Sequence, residues 1–223
     1  MEKANFLNAI KTLRETSTKR KFEQTFDIII NLKDLDIKKE SERILLFTAL
    51  PYLRGKNVRV GAFVDKELST KAREACAKVV LKDDFKTYDE DLIRALLKEA
   101  DIYIAQANIM PLVASTFGKI LGQAGKMPNP KAGAVVPPTA ELKPIVERLQ
   151  KTVRLETKGE ASIKAPVGTE KMKDEEIAEN MFAVYTAILQ HLPGENVENI
   201  RQVLVKLTMG KPIQVVEVKK WAR

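Results

Sequence analysis

Apolar residues follow two different periods in the first sixty positions of this chain. Apolar side chains three or four residues apart predict a helix over residues 2–16. Apolar residues at every second position from Phe26 to Leu32 then predict a strand with one buried face. A second extended segment is predicted over residues 44–50. The amino-terminal part of the chain therefore combines a helix with strands.

The middle of the chain, from residue 58 to about residue 150, has a different pattern. Short apolar strands are followed here by amphipathic helical runs. The predicted strands cover 58–64 and 102–105, and the predicted helices cover 69–80, 92–100, 110–121 and 139–150. Strands that alternate with helices imply a parallel sheet.

From residue 152 the chain returns to extended segments. The predicted elements are two strands that form a hairpin, 153–157 and 161–164, a long helix, 174–191, and two closing strands, 200–208 and 213–218.

The order of these patterns predicts two domains, one inserted in the other. The outer domain, residues 1–57 plus 152–223, is discontinuous and α+β, with an antiparallel sheet and helices. It is interrupted by a Rossmann-like α/β domain with a parallel sheet, residues 58–151. Insertion explains the order without long structureless loops.

Charge favours an anionic partner. The chain has 38 basic and 30 acidic residues, a formal charge of +8, yet no Asp or Glu occurs from Ile102 to Ala140. Such a concentration of cations attracts nucleic acid. The single cysteine, Cys76, cannot form an internal disulfide, and no apolar run approaches the roughly 20 residues of a membrane span. We therefore expect a cytoplasmic protein with no membrane partner that is monomeric when free.

Catalytic chemistry is sparse in this sequence. His191 is the sole histidine, and the end of a predicted helix suits it to interact with terminal carbonyl groups. No cluster has metal-ligand spacing. Gly125-Lys126 resembles the end of a phosphate loop, but Met127 stands where Ser or Thr would hold magnesium. We expect no enzyme activity, cofactor or metal, with a small α/β nucleotide-binding enzyme as the alternative and a DNA regulator as a third possibility.

Two short segments of the outer domain could approach RNA. Lys19-Arg20-Lys21-Phe22 joins three cations to an aromatic ring just before a strand. Thr208-Met209-Gly210 lies at a strand end, where glycine admits close backbone approach, threonine offers a hydroxyl and methionine can pack on a sugar or base.

Four motifs occur together along the chain: Gly118-Lys119-Ile120-Leu121-Gly122, Met127-Pro128-Asn129-Pro130-Lys131, Ala165-Pro166-Val167-Gly168 and Thr208-Met209-Gly210. By these motifs the chain resembles the ribosomal proteins of the large-subunit side stalk, the large-subunit protein one family. Many members have Pro-Arg where this chain has Gln123-Ala124, so an arginine contact there does not carry over. The loop sequence Gly125-Lys126-Met127 and the acidic, lysine-rich helices resemble those of archaeal members.

The resemblance implies a structural protein that binds large-subunit rRNA at the base of a mobile stalk. It further implies that the protein assists release of deacylated tRNA from the exit site and represses translation by binding its own mRNA. The implied RNA-binding residues of the outer domain are Lys21, Phe22, Thr25, Ser162, Lys164, Thr208, Met209 and Gly210. Those implied to face tRNA or a second RNA segment are Lys119, Lys126 and Lys131.

Overall fold

A computed structural model describes residues 1–35, 39, 42–192 and 196–216. Its helices are α1 (Lys3–Thr16), α2 (Ser69–Ala75), α3 (Glu90–Glu99), α4 (Met110–Gln123), α5 (Leu142–Lys151) and α6 (Asp174–Leu189). Its strands are β1 (Thr25–Leu32), β2 (Leu45–Ala49), β3 (Val60–Val64), β4 (Lys78–Leu81), β5 (Ile102–Gln106), β6 (Val135–Val136), β7 (Thr152–Glu156), β8 (Ser162–Thr169), β9 (Ile200–Leu207) and β10 (Ile213–Gln214).

The chain divides into two compact units. Met1–Lys56 and Val153–Arg223 form the discontinuous unit, and Asn57–Thr152 form the inserted unit. The combination of one antiparallel and one parallel sheet with helices confirms the predicted fold class. That each unit is an independent domain, with boundaries at 57/58 and 151/152, stays a prediction.

The discontinuous unit is built on an antiparallel sheet of strand order β10-β9-β1-β8. The helices α1 and α6 pack together and cover one face of this sheet. The buried side chains of β1, Phe26, Ile28 and Ile30, alternate with half-buried ones, as the period of two predicted. A separate pair, β2 with β7, completes the unit.

The inserted unit has a parallel sheet of order β4-β3-β5-β6. All five residues of β3 are buried, because helices cover both faces of the sheet. One core lies between the sheet and α3 with α4, around Phe63 and Phe117; the other lies between the sheet and α2 with α5, around Ala62 and Leu149. Pro111 occupies the first turn of α4, where a proline is tolerated.

Three element predictions are corrected or cut short by the structure. The predicted helix 69–80 ends at Ala75, and residues 78–81 form a strand instead. The predicted hairpin is wrong, because its strands belong to different sheets: β7 pairs with β2 and β8 pairs with β1. The strand β6 was not predicted. Of the predicted strand 213–218, Ile213–Gln214 is observed, and residues 217–218 lie outside the described residues.

Candidate nucleic-acid interface

The face of the β9-β1-β8 sheet that points away from α1 and α6 forms a patterned surface. On β1 it carries Asp27, Ile29 and Asn31, all half buried. Paired residues of antiparallel strands project to the same side of a sheet, so their neighbours complete three rows. The rows are Lys206, Asp27 and Pro166; then Leu204, Ile29 and Lys164; then Gln202, Asn31 and Ser162. We call these residues the outer face.

The charges of the outer face favour an anionic ligand. Burial raises the pKa of the Asp27 carboxyl, and the nearby ammonium groups of Lys206 and Lys56 partly oppose that rise. Lys164 Nζ lies 3.3 Å from Glu160 Oε2 in a solvent-exposed pair. Exposed pairs of this kind contribute only about 0–1 kcal/mol, so Lys164 can exchange its partner for a phosphate at small cost.

One end of the outer face is where β1 begins and β9 ends. Here the backbone N–H of Thr25 donates to Thr208 Oγ1 at 3.0 Å, and the hydroxyl of Thr208 in turn donates to the Thr25 carbonyl oxygen at 3.4 Å. A tight turn follows, in which Gly210 N–H donates to the Leu207 carbonyl oxygen at 2.9 Å. The predicted residues Thr25, Thr208 and Gly210 are therefore brought together by the Thr208 hydroxyl and by the turn that follows it.

Two large apolar side chains project from this end into solvent. Met209 is 63% exposed and Phe22 is 49% exposed, while Lys21 beside Phe22 is also exposed. Burial of such side chains is normally favourable by about 1.5–3 kcal/mol each, so a ligand that covers them would gain this free energy. We call Lys21, Phe22, Thr25, Thr208, Met209 and Gly210 the tip.

The remaining predicted residues of this unit, Ser162 and Lys164, lie toward the other end of the sheet. Ser162 pairs with Asn31, which is six residues along β1 from Thr25. At about 3.3 Å per residue this separates Ser162 from the tip by roughly 20 Å. The structure therefore spreads the predicted residues along the length of the outer face.

A cavity of about 240 Å³ opens beside Ser162 and Lys164. It is lined by Arg154, Glu156, Lys158, Glu160, Ser162 and Lys164. Both Arg154 and Lys158 pair with the carboxylate of Glu156, the second with Nζ 2.7 Å from Oε1. These two cations extend the basic character of this end, and sequence reasoning missed them. The alternation of β7, which turns Arg154 outward between buried Val153 and Leu155, was the available signal.

The three lysines predicted for a second RNA surface have different environments. Lys119 Nζ pairs with Glu90 at 3.0 Å on the surface, and the ammonium group holds the pKa of that carboxyl below its usual value. Lys126 Nζ donates to the carbonyl oxygens of Leu97 and Ala100 at 2.7 and 2.9 Å. It thereby caps the carboxyl end of α3, where a cation is favoured.

Lys131 is exposed, and among the described residues no ion pair or side-chain hydrogen bond engages its ammonium group. The structure thus offers Lys131 and Lys119 to a ligand more readily than Lys126.

The segment Met127-Pro128-Asn129-Pro130-Lys131 is held by its own contacts. Pro128 is buried, Met127 packs against the core, and Asn129 Oδ1 accepts from the Lys131 N–H at 2.8 Å. Gly133 follows with φ +69°, and its carbonyl oxygen accepts from Arg148 Nη2 at 3.2 Å. This segment therefore connects α4 to β6 and holds Lys131 on the surface.

Three further observations concern potential metal ligands, the histidine and membrane-spanning helices. No group of three or more potential metal ligands is found among them. His191 follows α6, and its Nδ1 lies 3.1 Å from the Ala187 carbonyl oxygen, the helix-end position that was predicted. Within the described part of the chain, no helix is long and apolar enough to cross a bilayer.

Comparison with known proteins identifies the relatives of this chain. Residues 13–211 match the family described as the ribosomal protein L1p/L10e family. The chain is 36% identical over 217 residues to the large ribosomal subunit protein uL1 of Methanothermococcus thermolithotrophicus, covering 96% of this chain and 99% of that protein.

Two further archaeal proteins of the same name are similar. That of Methanobrevibacter smithii is 40% identical over 216 residues, covering 94% of this chain and 98% of the relative. That of Nanoarchaeum equitans is 39% identical over 213 residues, again covering 94% and 98%. The similarity therefore extends through both units.

Proposed function

The chain belongs to the ribosomal protein L1p/L10e family, and from this premise we propose that it binds large-subunit rRNA at the stalk base through the tip and the outer face. It is a structural protein of the large ribosomal subunit, of archaeal type. The family is not one of enzymes, which confirms the expectation that this chain is not an enzyme. The nucleotide-binding alternative is therefore set aside.

The observation that carries the proposal is the exposure of Phe22 and Met209 at the end of a sheet face lined with polar and cationic side chains. Proteins recognise structured RNA by shape, by 2′-hydroxyl and phosphate contacts, and by stacking on aromatic rings. Phe22 and Met209 supply apolar platforms, Ser162 supplies a hydroxyl, and Lys164 supplies a phosphate contact. These groups are distributed over about 20 Å, which suits a folded RNA better than a single nucleotide.

The rest of the proposed function follows from the same surfaces. We assign the repression of translation to an mRNA structure that occupies the tip and outer face in place of rRNA. Contact with exit-site tRNA or a second RNA segment is assigned to Lys119 and Lys131 of the inserted unit, with Lys126 acting through its helix-capping contacts. The domains that carry these roles are residues 1–57 plus 152–223 and residues 58–151.

The proposal is tested by measuring the Kd of the full chain for a transcript of the archaeal stalk-base rRNA. When the salt concentration rises tenfold, the Kd should rise by about one decade for every one to two phosphates that the protein neutralises. A transcript of the chain's own mRNA leader should compete, and duplex DNA should not. Affinity that ignores salt, or equal competition by duplex DNA, would contradict the proposal.

A matched pair of variants places the site. Met209→Asp puts a charge at the tip, while Val197→Asp puts the same charge at another exposed apolar position, 51% exposed, ahead of β9. Loss of affinity in the first and not in the second assigns the site to the tip. Equal affinities in two folded variants would remove it from there.

A further inference from the structure

The side chain of Gln24 links three strand ends beneath the tip. Gln24 precedes β1, the central strand between β9 and β8, and it is only 2% exposed. A buried amide must satisfy its donors and its acceptor within the protein. Its Oε1 accepts from the backbone N–H of Met209 at 3.3 Å, on the β9 side. Its Nε2 donates to Glu170 Oε1 at 3.1 Å, on the β8 side.

The carboxylate of Glu170 fixes this amide in one orientation. Glu170 Oε2 accepts from the backbone N–H of Gln24 at 3.0 Å, and the Glu170 N–H donates to the Gln24 carbonyl oxygen at 3.1 Å. Because the carboxylate can only accept, it obliges the amide to present Nε2 toward β8 and Oε1 toward Met209. The direction of the whole chain of hydrogen bonds is therefore set by one negative charge.

The main chain at Glu170 is bound by Arg14 of α1. Arg14 Nη1 donates to the Glu170 carbonyl oxygen at 3.0 Å, and Arg14 Nη2 donates to that of Met172 at 2.9 Å. The guanidinium lies 5.4 Å from the centre of the Phe26 ring. The segment that carries the carboxylate is thus anchored to the helix layer.

We propose that Gln24 and Glu170 are positioning residues that hold the Met209 turn in the conformation that binds RNA. Neither side chain needs to touch RNA for this role. When the turn is already fixed before RNA binds, no conformational entropy is lost in ordering it. Fixing the turn therefore raises the affinity for RNA. The inference rests on the proposed function, since it concerns the same tip.

Exchanging the two functional groups tests the pair. Glu170→Gln turns an NH₂ toward the donors of Gln24, and Gln24→Glu sets two carboxylates against each other. The double variant places the carboxylate at 24 and the amide at 170, so every hydrogen bond can form again with the same net charge. We expect each single variant to weaken binding of the stalk-base transcript about tenfold, and the double variant to recover most of that loss.

The sign of the Glu170→Gln effect separates positioning from long-range electrostatics. If Glu170 acts only through long-range electrostatics, removal of its negative charge near the RNA-binding surface should tighten binding. Positioning predicts weaker binding instead. Unchanged or tighter binding by Glu170→Gln would overturn the inference.

A second test uses Met209 as a reporter. In a Met209→Ala background the Gln24→Glu substitution should lose most of its effect on affinity, while its effect on Tm should stay the same. An undiminished effect on affinity would show that the pair acts elsewhere. Should an exchange variant fail to fold, Gln24→Met, which removes the amide without adding charge, is expected to weaken binding similarly, and wild-type affinity in that variant would overturn the inference.

Met209→Asp, measured in the same assay, keeps the two proposals apart. If Met209→Asp weakens binding and the Gln24 and Glu170 variants do not, the positioning role fails and the tip remains the site. If Met209→Asp has no effect, the proposed function of the tip itself fails.

Discussion

The two sheets of this protein differ in how many of their faces are covered. Helices cover both faces of the parallel sheet in the inserted unit, and every residue of β3 is buried. Helices cover one face of the antiparallel β9-β1-β8 sheet, and the other keeps half-buried polar, apolar and cationic side chains. A sheet with one open face can bind a ligand directly, whereas a doubly covered sheet can present ligand-binding residues only on its helices and loops.

The largest expected effect probes the covered sheet. Phe117→Ala removes a fully buried ring that packs 4.8 Å, centroid to centroid, from Phe63. We expect the inserted unit to lose about 3–5 kcal/mol of unfolding free energy, measured by denaturant titration. The affinity of the folded variant for the stalk-base transcript should stay within about twofold. A fall in affinity that tracks the loss of stability would show that the open face depends on the inserted unit.

Met209→Asp probes the open face in the opposite way. A charge at the tip, where RNA excludes water, should weaken binding by about 2–5 kcal/mol, as at interface hot spots. The unfolding free energy should hardly change, because Met209 is 63% exposed. Isothermal titration with the stalk-base transcript and a thermal melt separate the two quantities. If Met209→Asp lowers the unfolding free energy but leaves the affinity for RNA intact, Met209 contributes to stability rather than to binding.

The lysines of the inserted unit give an intermediate effect. Lys126→Met removes two hydrogen bonds to the end of α3 and should cost about 2 kcal/mol of unfolding free energy. Lys131→Met should leave stability unchanged and weaken binding of deacylated tRNA. Denaturant titration and a tRNA filter-binding assay measure the two results. If Lys131→Met destabilises the unit as much as Lys126→Met, the distinction drawn between these lysines is wrong.

The smallest effect concerns Asp27. Burial holds the pKa of this carboxyl above the ordinary value of 3.8, so the folded state favours the protonated form. The stability that this preference contributes is present below the ordinary pKa and is lost as pH rises through the raised value. Asp27→Asn should therefore gain stability over the wild type as pH increases through this window, and should bind the stalk-base transcript slightly more tightly. A stability difference that does not change from about pH 3, below the ordinary pKa of 3.8, to about pH 7 would contradict the direction.

Periodicity predicted most of the fold, and it failed where short segments depend on distant partners. Ala75, Cys76 and Ala77 continue a helical pattern into Val79 and Val80, yet residues 78–81 pair with β3 as a strand. Pairing with a remote strand overrode the local pattern. In the same way, Lys158-Gly159-Glu160 has the composition of a hairpin turn, but the strand before it pairs with β2.

The candidate site, like the fold, was predicted where local sequence determines the structure and missed where distant residues determine it. The position of Thr208 and Met209 at a strand end, together with the family resemblance, pointed to these two residues, and the resemblance alone pointed to Ser162. Neither could show that Lys126 caps α3, since a helix end 26 residues earlier in the chain supplies its partners. Nor could they find Gln24 and Glu170, whose roles depend on contacts between segments 146 residues apart.

Hydrogen exchange of the full chain with and without the stalk-base transcript shows which backbone amides RNA protects. We expect RNA to slow exchange at residues 22–25, 162–164 and 204–210, and to leave β3 and β5 of the inserted unit unchanged. Slowed exchange confined to the inserted unit, with the tip and outer face exchanging as in the unbound protein, would contradict this expectation.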